Sequence, residues 1–230
     1  MAMIPVRDIN LKNQEFIKIL DDYKDFLMQR DHPDDEPYVG KILPVTNPDA
    51  DPEDWVSDKK MHEIINQGQR HSGFPNRMKG LSGLKLMQGD DQPWLAVLGP
   101  DIKEKTKETN SKLIEFLSCK NNALNAVYPP GGFIDWHNNA NAFGYNIIIT
   151  WSETGDGWFD YWDIDKKERV RIQDKPGWQA KMTYFGPYDK PDTLCYHAAY
   201  TDCWRITIAF VFLEANEFWR EVIEDLETEY

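Results

Sequence analysis

The chain has 230 residues, enough for one sizeable core or a core with a helical appendage and too few for two full domains. Its residues are 41% hydrophobic and 13% aromatic, with nine Trp, which excludes disorder over most of the length. A net charge of −13, from 26 basic and 39 acidic residues, disfavours a general nucleic-acid binder, because such a protein needs a basic field to displace counterions.

A local basic group of Arg70, Arg77, Lys79 and Lys85 reads most simply as a solvated loop. The cysteines, Cys119, Cys195 and Cys203, are odd in number and irregularly spaced. They suggest neither a disulfide framework nor a structural zinc site. The first residues contain no apolar run of signal-peptide length, and no stretch approaches the roughly 18–20 apolar residues of a membrane span. A soluble cytoplasmic protein is expected.

Taken in chain order, Phe16, Ile19, Leu20, Tyr23, Phe26 and Leu27 recur at three- and four-residue steps, which puts them on one face of a helix. Residues 31–57 are rich in Asp and Pro and read as a loop. A second helix is predicted over Asp58 to Gln67, with Met61, Ile64 and Ile65 inward, and a third over Glu104 to Leu117, with Leu113, Phe116 and Leu117 apolar. Between them, residues 70–100 carry several glycines and receive no assignment.

Near residue 122 the pattern changes to short strands. The candidates are Ala123–Tyr128, Phe133–His137, Tyr145–Trp151, Gly157–Trp162, Arg169–Ile172, Gln179–Tyr184, Leu194–Ala199 and Trp204–Leu213. Turn residues punctuate them at Pro129–Gly132, Gly155–Gly157, Pro176–Gly177 and Gly186–Pro187. Short strands with regular turns predict a barrel, sandwich or jelly roll. Phe218, Trp219, Val222, Ile223 and Leu226 then form a last helical face, expected to cap the barrel. The acidic stretch from Glu221 to Glu229 reads as the solvated side of that helix. The expected fold class is therefore mainly β with α, as a barrel, sandwich or jelly roll. Residues 1–121 form a helical or irregular layer packed on it, and residues 122–230 form the core with its closing helix.

Two of the five histidines stand at telling places. His137 ends the second predicted strand and His197 lies on the next-to-last one. A rolled sheet brings such distant strands together. A non-haem iron site needs two neutral imidazoles and usually one carboxylate on one face, with the other face open. The position two residues after His137 is Asn139, whose amide oxygen is a neutral and weaker donor. Asp135 lies two residues before His137, and residues two apart on an extended strand share a face, so it is the alternative third ligand.

On the last strand, Arg205 and Thr207 share one face. A buried guanidinium needs an anion, and its planar fork suits a carboxylate held at two points. The plainer reading is a salt bridge to one of the chain's own acids.

The run Tyr128-Pro-Pro-Gly-Gly-Phe-Ile-Asp-Trp-His137, the distal His197 and Arg205-x-Thr207 resemble the Fe(II)- and 2-oxoglutarate-dependent dioxygenase superfamily. The nearest groups are the prolyl-hydroxylase-like enzymes and the small oxygenases of phage and marine genomes. The likeness covers roughly residues 122–213 and leaves the first 120 unmatched. It implies a double-stranded β-helix core of cupin-like, jelly-roll type, and iron at His137 and His197, with Asn139 in the place of the usual acid. It also implies 2-oxoglutarate at Arg205 and Thr207, assisted by Tyr145. Of the many tryptophans, Trp158 is picked with Tyr161 for a substrate pocket, since aromatic rings suit flat or apolar ligands. Asn138, Asn141 and Asn146 cluster near the first histidine and read as turn formers.

The leading expectation is thus an oxygenase hydroxylating a small molecule or a protein side chain. One rival is a non-catalytic binding domain in which Asn139 marks the loss of a metal ligand. The other is a cupin-like metal enzyme of another class.

Overall fold

A computed structural model of the chain describes residues 6–32, 34–41, 51–83, 100–119, 121–212 and 218–229. Its elements, in order, are strand β1 (Val6–Ile9), helices α1 (Gln14–Met28), α2 (Pro52–Val56) and α3 (Asp58–Gln67), strands β2 (Met78–Lys79) and β3 (Leu81–Ser82), and helix α4 (Pro100–Phe116). Strands β4 (Asn121–Tyr128), β5 (Gly132–His137), β6 (Gly144–Ser152), β7 (Gly157–Asp163), β8 (Glu168–Gln173), β9 (Gly177–Phe185), β10 (His197–Thr201) and β11 (Arg205–Phe212) follow, and helix α5 (Trp219–Leu226) comes last.

Two antiparallel sheets face each other, a six-stranded one in the order β1-β9-β6-β11-β4-β3 and a five-stranded one in the order β2-β5-β10-β7-β8. Strands far apart in sequence alternate within each sheet, which is the winding of a double-stranded β-helix. The fold class is mainly β with α, as the turn spacing predicted.

The larger sheet is buried on both faces. Ile147, Ile149, Ile206, Ile208 and Phe210 meet Phe16, Leu20 and Leu27 of α1, Leu113 of α4 and Val222, Ile223 and Leu226 of α5 in one apolar cluster. Ile148 and Ala209 point the other way, toward Phe159 and Tyr161 of the smaller sheet. This explains why β6 and β11 read as near-continuous apolar runs rather than as a strict alternation.

The helices begin and end where their chemistry dictates. The Asn13 side chain accepts from the Phe16 N–H at 3.0 Å to cap α1, and Ser57 does the same for α3 through the Lys60 N–H at 3.4 Å. The Tyr23 hydroxyl ties α1 to Thr106 on α4 and to Asn125 on β4, at 3.0 and 3.1 Å.

Several expectations are corrected. Residues 31–57 hold more than a loop: Tyr38–Lys41 is a 3-10 turn and Pro52–Val56 is a helix. Asp51 and Pro52 are the reason, since Asp51 caps the Glu53 N–H at 3.0 Å and proline suits the first helical turn. Ile19, Phe26, Ile65 and Phe116 lie at the rim of their helix faces, only partly buried. Ladder pairing on β10 starts at His197 rather than Leu194 and continues to Thr201, because a 3-10 turn at Pro191–Thr193 feeds the strand. The final helix does not close a barrel end. It lies with α1 on the outer face of the larger sheet, where the Leu226 carbonyl accepts from the Lys12 and Asn13 N–H groups. Strands β1, β2 and β3 carry no periodic signal, being two to four residues long at sheet edges. Leu213, the predicted end of the last strand, and Lys85 lie outside the described residues.

Candidate metal centre and barrel interior

His137, the last residue of β5, and His197, the first of β10, are direct cross-strand partners. Their ring centroids are 4.1 Å apart, and both side chains are buried. Each ring is fixed by its own strand. The Nδ1 of His137 lies 2.7 Å from the Asp135 carbonyl oxygen, and that of His197 lies 2.8 Å from the Cys195 carbonyl oxygen. A carbonyl only accepts, so Nδ1 carries the hydrogen in both rings and Nε2 presents a lone pair. This is the orientation that a metal-ligating imidazole takes from its surroundings.

Burial disfavours the imidazolium forms. It holds His137 well below its ordinary pKa, with the nearby His197 adding to the effect, and brings His197 down to about 4. Both rings are therefore neutral near pH 7. Phe185 stacks on His197 at 4.5 Å with the planes 5° apart, and Phe159 lies at 5.6 Å. Two aromatic rings thus pack against His197.

Asn139 reaches the same point. Its backbone is left-handed (φ 54°, ψ 20°), a conformation asparagine tolerates better than most side chains, and its amide nitrogen lies 3.4 Å from Nε2 of His197. The amide nitrogen donates to the Nε2 lone pair in this arrangement. Turned over, the same amide would present its oxygen. Among the described residues, no third His, Cys, Asp or Glu joins the two histidines.

Asp135 does not share a face with His137. Pairing runs His197 with His137 and then Ala199 with Ile134, so β5 carries one more residue than β10 across this step. That bulge breaks the alternation on which the sequence expectation rested. The Asp135 carboxylate turns toward the preceding loop and accepts from the Asn76 N–H at 3.0 and 3.2 Å. Burial pushes its pKa up to about 7.

The loop from His71 to Arg77, which the sequence left unassigned, braces the centre. The Gly73 carbonyl accepts from the Asn139 N–H at 2.6 Å and the Asn138 N–H at 3.3 Å. The Tyr188 hydroxyl donates to the His71 carbonyl at 2.6 Å, and the Asn138 amide donates to Tyr188. His71 is buried with both ring nitrogens engaged, by the Gly73 N–H and by Asn76. Gly73 and Pro75 are the turn residues by which the sequence hinted at this loop. Asn138 forms a turn, its side-chain oxygen accepting from the Ala140 N–H at 3.0 Å, and Asn141 donates to the Ser72 carbonyl. Asn146 donates to the Gly144 carbonyl at 3.1 Å.

Deeper in the barrel, Arg205 and Thr207 do share the inner face of β11. Arg205 donates from NH1 to the Thr207 hydroxyl at 2.6 Å and from Nε to the Asp174 carboxylate at 2.7 Å, and it is only 2% exposed. Among the described residues, four buried polar atoms of the interior have no hydrogen-bond partner: the Tyr128 hydroxyl, the Thr150 hydroxyl, Oδ1 of Asp174 and Nζ of Lys181. Buried polar groups are rarely left this way in folded proteins.

Two predicted site residues lie elsewhere. Tyr145 shares the outer face of β6 with Ile147 and stacks on Trp219 at 4.6 Å, so it does not reach the interior. Trp158 is on the outer face of β7, under the Arg171 guanidinium at 4.0 Å and beside Tyr200. Tyr161 points inward and opposes His197 directly.

No protein-family model and no curated protein matches the chain. Solved structures do. A prolyl-4-hydroxylase from Pseudomonas putida is 11% identical with a TM-score of 0.31, over 70% of this chain and 89% of that one. A prolyl hydroxylase from Trichoplax adhaerens, solved with a fragment of hypoxia-inducible factor, is 10% identical with a TM-score of 0.35, over 68% and 78%. A viral collagen prolyl hydroxylase of Paramecium bursaria Chlorella virus 1, solved with 2-oxoglutarate, is 13% identical with a TM-score of 0.30, over 68% and 90%. At these values the similarity is one of strand arrangement, and the functional case rests on the side chains themselves.

Proposed function

We propose that the protein is an Fe(II)- and 2-oxoglutarate-dependent oxygenase. The observation that carries this reading is the His137–His197 pair, directly opposed, buried, neutral and locked in one tautomer that turns both Nε2 lone pairs away from the strand backbone, the one on His197 toward the Asn139 amide. His137 and His197 would hold iron, and Asn139 would supply an amide oxygen where an acid is usual. The bound iron and co-substrate would supply the oxidation of an unreactive C–H bond with molecular oxygen.

The chain's own part is orientation and exclusion of water. Phe159, Phe185 and Tyr161 wall the metal side, and the unpartnered donors of Lys181, Tyr128 and Thr150 suit the charged end of a dicarboxylate. The substrate class is a small molecule or a protein side chain. The Trichoplax adhaerens enzyme was solved with a peptide, which is compatible with the second. Asn139 favours one rival, a non-catalytic domain that binds its ligand in the same barrel.

Anaerobic titration with Fe(II) and 2-oxoglutarate tests the proposal. A weak visible charge-transfer band that needs both additions is expected. Calorimetric silence toward metal would leave the binding domain as the better reading.

A further inference from the structure

Lys181 lies on β9 with its side chain only 1% exposed, pointing into the barrel. Among the described residues its ammonium has no hydrogen-bond partner, and it stands 5.2 Å from the centre of the Phe159 ring. Phe159 in turn faces His197. The ammonium is thus one ring away from the proposed metal centre and on the same side of the barrel interior as Arg205.

The two buried cations of this interior, Arg205 and Lys181, are not equally paired. Arg205 is already paired with Asp174 at 2.7 Å. That contact takes up the arginine's charge and its Nε–H, the edge best suited to a two-point carboxylate contact. Lys181 is left over. Asp8, its cross-strand partner on the edge strand β1, is exposed; its carboxylate and that of Asp174 favour the ammonium from a distance, and neither hydrogen-bonds to it. A buried ammonium with no hydrogen-bonded anion is strongly unfavourable, so such a group points to a ligand that completes it.

We infer that Lys181, rather than Arg205, is the anchor for the distal carboxylate of the co-substrate. This rests on the reading given under Proposed function. Arg205 and Asp174 then form a fixed neutral pair that shapes the base of the site. The hydroxyls of Thr150 and Tyr128, both without partners, are further donors at that base. Ile148, Ala209 and Phe159 supply an apolar wall suited to a short methylene chain. One unpaired positive charge beside the Asp174 carboxylate selects a singly charged carboxylate over a doubly charged phosphate. Burial and the nearby Arg205 lower the Lys181 pKa to about 8, which leaves the ammonium largely protonated at pH 7.

The test is calorimetric titration of the full chain loaded with redox-inert Mn(II), comparing 2-oxoglutarate with pyruvate, which lacks the distal carboxylate. Wild type is expected to bind 2-oxoglutarate at least ten-fold more tightly than pyruvate. Lys181→Met is expected to erase that preference, with pyruvate affinity and metal stoichiometry unchanged, and Lys181→Arg to restore part of it. If Lys181→Met keeps the preference while Arg205→Met loses it, the inference is overturned and the oxygenase reading stands.

If wild type takes up no Mn(II), that reading fails. Lys181 is then judged separately, by its side-chain NMR shifts in the metal-free protein on adding glutarate. A shift that saturates supports the anion site, and none overturns it. The same NMR measurement on wild type serves if Lys181→Met does not fold.

Discussion

The Nδ1–H of each histidine is spent on a carbonyl two residues back, so neither ring can rotate without losing that bond. His197→Ala is expected to abolish stoichiometric binding of Fe(II) or Mn(II) while leaving the far-UV circular dichroism unchanged. Metal stoichiometry equal to wild type would remove His197 from the site. Asn139→Asp keeps a residue that tolerates the left-handed backbone and adds a charge, so metal affinity is expected to rise at least ten-fold.

The same residues set a pH signature. His137 and His197 have depressed pKa values, so below about 6.5 the unfolded chain binds protons that the folded chain does not, and both groups withdraw stability as pH falls toward 4. Asp135, raised to about 7, works the other way: the folded chain keeps its proton between about pH 4 and 7, which adds stability as pH falls. Removing that opposing group by Asp135→Asn is expected to steepen the loss of stability of the metal-free protein. The change is up to about 1.4 kcal/mol per pH unit between pH 6.5 and 4.5, measured by urea unfolding.

At the scale of elements, the bulge in β5 and the loop before β2 decide what the site contains. Gly73 has φ +83°, and a Cβ there would stand 3.1 Å from the Ala140 nitrogen and 3.2 Å from that of Asn141. Gly73→Ala is expected to cost about 1–3 kcal/mol in chemical unfolding. It should also weaken metal binding, since the Gly73 carbonyl receives the N–H groups of Asn138 and Asn139. Unchanged metal affinity in a destabilised variant would show that this loop supports the fold but not the site. Strand faces follow the same logic. The alternation that sends Ile148 inward sends Tyr145 outward onto Trp219, which is why a tyrosine in the right strand is not a site residue.

For the whole molecule, the two sheets and the helical layer share structure rather than a boundary. Strand β1 from the first residues pairs with β9, β2 with β5 and β3 with β4. Among the described residues no helix is long and apolar enough to cross a membrane. We propose that residues 1–121 and 122–230 unfold as one cooperative unit. Tryptophan fluorescence and far-UV circular dichroism should then give coincident denaturant transitions, and two separated midpoints would show independent units.

What the sequence determined by itself was periodic or chemical. The helix faces of α1 and α3, the succession of strands after residue 121 and the two histidines at strand ends are local patterns, set by side-chain spacing and turn residues. The shared face of Arg205 and Thr207 is equally local, because residues two apart on a regular strand always agree. Only the tertiary structure decided the rest. It placed Asp135 away from the metal centre, because a bulge exists only relative to a partner strand. It turned Tyr145 and Trp158 outward, because which strand face is interior depends on what covers the other. It also paired Arg205 with Asp174 and left Lys181 facing the barrel without a hydrogen-bonded anion among the described residues, because ion pairing belongs to neighbours in space and not in sequence.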